Sequence, residues 1–170
     1  MTIRTKHLRY AIVQGIVLLG VISCEPWPPG KEDFVAEFSE NRYSFERLLD
    51  EFNQLDYAVL EHGGASGGAM GIDSTTGAWV ALRHEEGSYI QNLLEQARVY
   101  RVSRVNGDIV FLRPVGPEIS GQIVRVEFIY RSEASDLSSC DEFAKSDSGI
   151  ECEYHLDAGW YLHYFWARES

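Results

Sequence analysis

The chain has 170 residues, 45% hydrophobic and 24% charged, which suits one globular domain with a real core and is too short for two ordinary ones. Fifteen basic residues stand against 26 acidic ones, a formal net charge of -11. Three of the bases, Arg4, Lys6 and Arg9, lie in the first 23 residues, which hold no acid; the rest therefore carries -14, a charge that repels a phosphate backbone and excludes nucleic acid as an expected partner.

The first ten residues, MTIRTKHLRY, form a short basic region, and an apolar stretch of thirteen residues follows from Ala11 to Ser23, interrupted only by Gln14. A membrane-spanning helix needs roughly 20 apolar residues, so this stretch has the proportions of a signal-peptide core instead. It ends in Val21-Ile22-Ser23-Cys24, which resembles the lipobox of bacterial lipoprotein precursors. The resemblance implies a diacylglyceryl group on the Cys24 thiol, cleavage before Cys24, and further acylation of the new amino group by a chain such as palmitate. Residues 1–23 would then be a lipoprotein signal peptide and residues 24–31, with EPWPPGK, a Pro-rich tether. Residues 32–170 would form a single α+β domain that faces the periplasm, held to the bacterial envelope by its lipid anchor. Glu25 does not choose between inner and outer membrane.

With Cys24 lipidated, Cys140 and Cys152 remain, and an even pair in an oxidising compartment reads as one disulfide. Closing a loop of about a dozen residues contributes about 3 kcal/mol in the chain-entropy picture.

Phe34, Phe38, Phe45, Leu48, Phe52 and Leu55 recur at helical spacing, with Asn41 interrupting the stripe and acids loading its N-terminal half. Arg42, beside the stripe, has Glu46 one turn on as an ion-pair partner. Between Tyr57 and Gly87 the pattern is weak: YAVLE suits a short strand, and GAWVALRH admits either a strand or a short helix. A second helix carries Ile90, Leu93, Leu94 and Ala97 on its buried face, with Ser88 as the expected cap and Gln91 completing a capping box.

From there the period changes to two. Asn106-Gly107 marks a hairpin turn in YRVSRVNGDIVFLR. QIVRVEFIYR places Val124, Val126, Phe128 and Tyr130 on one face and Arg125 and Glu127 on the other. GIECEYHL and GWYLHYFW flank a turn at Asp157-Ala158-Gly159. One face would carry Ile150, Cys152, Tyr154, Leu156, Trp160, Leu162, Tyr164 and Trp166. The other would carry Glu151, Glu153, His155, Tyr161, His163 and Phe165. The expected architecture is α+β, with two helices packed on an antiparallel meander of about four to five strands. FSENRYSFERLL, LLEQARVYRVSRVNGDIVFL and WYLHY resemble stretches of small, largely uncharacterised, periplasm-facing bacterial lipoproteins. That likeness implies fold and location and carries no catalytic residue across.

Gly64-Ala65-Ser66-Gly67-Gly68 fits the G-x-S-x-G of a nucleophile elbow. An elbow needs a helix after the serine, whereas Gly-Gly-Ala-Met-Gly follows; the run reads as a loop, and having no basic residue it does not read as a phosphate cradle. A turn centred on Ala158 sets Glu153 across from His163 and His155 across from Tyr161, so Glu153, His163 and Tyr161 form a weak surface-site candidate. No His spacing suggests a metal. The expectation is a non-catalytic, lipid-anchored envelope protein, with no cofactor, that binds a protein or peptide partner, for instance as an immunity or inhibitor protein. The alternative is a small envelope hydrolase using Ser66 or the Glu153/His163 face.

Overall fold

The computed structural model describes residues 30–64, 68–115, 122–133, 139–140 and 150–168. The signal peptide, Cys24, most of the tether and Ser66 lie outside the described residues. Helix α1 (Lys31–Gln54) opens with the Asp33 carboxylate accepting the Gly30 N–H at 2.8 Å, and Glu32 and Asp33 occupy its positive end. Its buried stripe is Phe34, Phe38, Phe45, Leu48, Leu49 and Phe52. Leu55 caps the helix and is only half-buried. Asn41 spends its amide on the Glu37 carbonyl at 2.9 Å.

Strands β1 (Tyr57–Glu61), β2 (Met70–Asp73) and β3 (Trp79–Ala81) precede helix α2 (His84–Gln96). Then come β4 (Arg101–Val105), β5 (Asp108–Arg113), β6 (Gln122–Tyr130), β7 (Ile150–Asp157) and β8 (Trp160–Arg168). These strands form one antiparallel sheet of eight, in the order β3-β2-β1-β4-β5-β6-β8-β7. The α+β class and the two helices agree with the sequence; a sheet of four to five strands does not. The difference lies mainly in β1, β2 and β3, whose three to five residues are too few to display a period of two. Nor is the sheet a simple meander. After α2 the chain returns to pair β4 with β1, and β8 inserts between β6 and β7.

α2 begins one turn earlier than Ser88. The Ser88 hydroxyl donates to the His84 carbonyl at 2.7 Å, inside the helix, and Arg83 holds the cap position. Glu85 and Glu86 supply the first-turn acids, and Gly87 sits in the helix because another segment closes on it: the Ala69 N–H donates to its carbonyl at 3.0 Å. The buried face of α2 is as expected, with Ile90, Leu93, Leu94 and Ala97 in the core.

Both helices cover one face of the sheet. Beneath them Leu60, Val102, Phe111, Phe128 and Leu162 follow one another in register across five strands, all fully buried. Phe45 of α1 lies on this row, 4.8 Å from the Phe128 ring, and Phe38 lies 5.2 Å from Trp160. Asn106 and Gly107 form the β4–β5 turn with φ of 53° and 95°. At the last hairpin Gly159 has φ of 87°, and a Cβ there would meet the Arg131 carbonyl at 2.9 Å, so this site requires glycine. Cys140 and Cys152 form a disulfide with a Cα separation of 5.2 Å. It fastens Ser139 and Cys140 to the outer side of β7, where the Cys140 N–H donates to the Glu153 carbonyl at 2.8 Å.

Candidate functional site

Because strand residues alternate, the face away from the helices carries the other half of each pattern. β6, β8 and β7 bring Glu127, His163 and Glu153 into one row: Glu127 pairs with His163, and His163 with Glu153. The predicted cross-strand pairs, Glu153 with His163 and His155 with Tyr161, are both formed, and the latter rings lie 5.1 Å apart. Two particulars differ from a surface charge pair. Glu153 is only 5% exposed, as is Glu127. The ionic partner of His163 is Glu127 rather than Glu153.

His163 Nδ1 donates to Glu127 Oε2 at 3.0 Å. An ionised carboxylate only accepts, so the proton sits on Nδ1. His163 Nε2 faces Glu151 Oε1 at 3.3 Å, off the hydrogen-bond axis. Arg125 Nε donates to the second Glu127 oxygen at 2.7 Å. Arg131, just past β6, passes over the Tyr161 ring at 5.2 Å and grips Glu153 with two donors, the shorter 2.9 Å long. Its Nε lies 3.2 Å from Asp108, again off axis.

These contacts explain the titration. The hydrogen bond to Glu127 raises the His163 pKa against burial, which lowers it. Burial pushes Glu127 up, but hydrogen bonds from His163 and Arg125 outweigh it and hold the carboxyl below its ordinary value. Around this row lies a recess of about 450 Å³, reaching Ser103 on β4 and Glu151 on β7. Three glutamates and Asp108 face two arginines and His163 there, so the recess is acidic whether or not His163 is charged.

The hairpin register made Glu153, His163 and Tyr161 findable, and the alternation of β6 made Arg125 and Glu127 so. Arg131 ends QIVRVEFIYR in phase with Arg125 and Glu127, but no periodicity shows that its side chain reaches across β8 to Glu153. Arg42 pairs with Glu46 at 2.8 Å, as expected, and also with Asp157 of the final hairpin, a contact 115 residues away that spacing does not reveal. His62 joins Glu95, its Nε2 3.1 Å from the carboxylate, while Nδ1 accepts the Gly64 N–H at 3.0 Å. Among the described residues no three His, Cys, Asp or Glu side chains converge as a metal site, and no helix is long and apolar enough to cross a membrane. Comparisons with protein-family models, curated proteins and solved structures find no match to this chain.

Proposed function

We propose that the chain is a lipid-anchored bacterial envelope protein, anchored through Cys24, whose non-catalytic domain faces the periplasm and binds a basic protein or peptide. Neutralising a periplasm-acting toxin is the form this takes. The observation that carries the reading is the acidic surplus, -14 beyond residue 23, which attracts and orients a cationic partner. The outer recess supports it, because its buried carboxylates are engaged by Arg125, Arg131 and His163 rather than poised as a nucleophile or base. The test is in-cell cross-linking of the full chain, followed by reconstitution with the purified partner. A basic partner whose affinity falls with salt is expected, with membrane association and globomycin sensitivity lost in Cys24→Ala. A neutral or acidic partner, or none above the Cys24→Ala background, sinks the reading.

One observation favours the hydrolase alternative: His163 lines the recess and is held by Glu127 through Nδ1, while its Nε2 makes no hydrogen bond among the described residues and sits 3.3 Å from Glu151, the pairing an acid–base group requires. Fluorophosphonate labelling that disappears in Ser66→Ala, or hydrolysis that disappears in His163→Gln, is what that alternative requires.

A further inference from the structure

The two edges of the sheet are finished differently. Beyond β7, Ser139 and Cys140 pair with Glu153 and are bolted down by the disulfide. Beyond β3 no strand follows among the described residues. The Asp73 N–H donates to the Ala78 carbonyl, and the Leu82 N–H to the Ala69 carbonyl. In an antiparallel ladder these bonds turn residues 78, 80 and 82 toward β2, so Trp79 and Ala81 aim their N–H and C=O groups outward. Proteins usually blunt such an edge with lysine, proline or a covering loop. Here it carries an exposed tryptophan instead, Trp79, at 48% exposure.

The two sides of this edge have different chemistry. Val80 pairs with Gly71, and Gly71 with Leu60 of the core row, so Val80 lies on the helix side and Trp79 on the outer side. On the helix side a cleft of about 590 Å³ opens along Val80 and Ala81, reaching the end of α1 and the start of α2. Asp56, Asp73 and Glu86 line it against a single cation, Arg83. Tyr57 in its wall registers that field: burial first, then the charges of Glu86 and Asp73, raise its pKa. A strand added to β3 would present alternate side chains to these two surfaces.

We infer that the open edge of β3 is the docking site for the basic partner, an extended segment that adds as a ninth strand, with apolar side chains against Trp79 and a lysine or arginine in the Asp56–Glu86 cleft. The inference rests on the reading above and supplies its binding mode, strand addition, in which the main chain gives affinity and alternate side chains give selectivity.

The test titrates a fluorescein-labelled peptide of alternating lysine and valine into the full-length chain in detergent micelles, with an alternating glutamate and valine peptide as control. The lysine peptide binds, the glutamate peptide does not, and affinity falls with salt. Ala81→Pro removes an outward N–H without touching the β2 ladder and weakens binding about tenfold. Ala81→Lys keeps that N–H and serves if the proline variant does not fold; its added charge weakens binding similarly. Glu86→Gln lowers both affinity and its salt dependence, whereas Glu151→Gln in the outer recess changes neither. If the lysine peptide binds all the Ala81 variants like the parent, or loses binding in Glu151→Gln instead, the edge is not the site although the basic-partner reading stands. Binding of neither peptide overturns the edge proposal and leaves the basic-partner reading to its own cross-linking test. Self-association of the chain that Ala81→Lys abolishes assigns the edge to a second copy, which also overturns it.

Discussion

The two faces of the sheet are built from the same strands and obey different chemistry. The inner face is a row of Leu60, Val102, Phe111, Phe128 and Leu162 pressed under the phenylalanines of α1. Along this row cohesion comes from apolar burial and needs no particular partner for any one residue, the exception beside it being Glu37 of α1, buried and held by two donors of Arg113. The outer face buries Glu127 and Glu153, and each depends on specific donors from neighbouring strands. A residue lost from the inner face leaves a hole; a residue lost from the outer face leaves a charge.

The largest effect is expected on the inner face. Phe45→Ala, at a fully buried ring in contact with Phe38, Phe111, Phe128 and Trp160, should lower unfolding free energy by about 3–5 kcal/mol in a urea titration. A loss below 1 kcal/mol would show that α1 does not close on this row. Next comes Arg131→Met, which strands Glu153 without its two guanidinium donors. Removing one partner of a buried pair costs about 3–5 kcal/mol, whereas replacing both by apolar groups is often neutral. The comparison therefore sharpens in the double variant Arg131→Met/Glu153→Leu, which should regain most of the loss. If the double variant is as weak as the single one, unpaired charge is not what the outer face guards against.

Smaller still is the pH dependence that His163 and Glu127 give the outer face between acid and neutral pH. His163 has a pKa raised above its unfolded value near 6.5, so its stabilisation is complete below that pH and lost as pH rises through the higher folded value. Glu127 is held below its unfolded value near 4.5, so its contribution is complete above that pH and lost as pH falls through the lower folded value. Thermal midpoints should therefore plateau between about 4.5 and 6.5 and decline on the alkaline side, a decline that His163→Gln removes. A parent and a His163→Gln variant with parallel profiles would break the assignment. The smallest change is expected from Arg42→Ala, an exposed contact to Glu46 and Asp157 that solvent screens; its midpoint should stay within error of the parent.

Long, strongly periodic segments were legible in the sequence. α1, the core face of α2, the Asn106-Gly107 hairpin and the register of the final hairpin follow from apolar spacing and turn residues. Pairing of Cys140 with Cys152 followed from counting. In the β1–β3 region YAVLE was legible as β1 and β3 only as one of two options, while β2 was not legible, because it is held by its neighbours rather than by its own pattern: it is four residues long and contains Gly71, packed against the Tyr57 ring. The start of α2 was misplaced because Ser88 has a cap's chemistry but sits where the helix already runs. At the outer face, period two gave the row of ionisable residues. It did not give their burial or the choice of Glu127 over Glu153 as the partner of His163, both of which depend on the order β6-β8-β7.

Lys31 opens α1, with its ammonium 3.4 Å from the Cys140 carbonyl and 4.7 Å from the centre of the Tyr154 ring. The chain thus enters the domain at the disulfide-fastened edge, and β3 lies at the opposite end of the sheet, seven strand spacings away or about 34 Å. If residues 24–31 tether the domain as proposed, tension would be delivered to the margin reinforced by a covalent cross-link. A load applied at β3 would then have to travel through every strand pair of the described sheet before it reached that cross-linked margin.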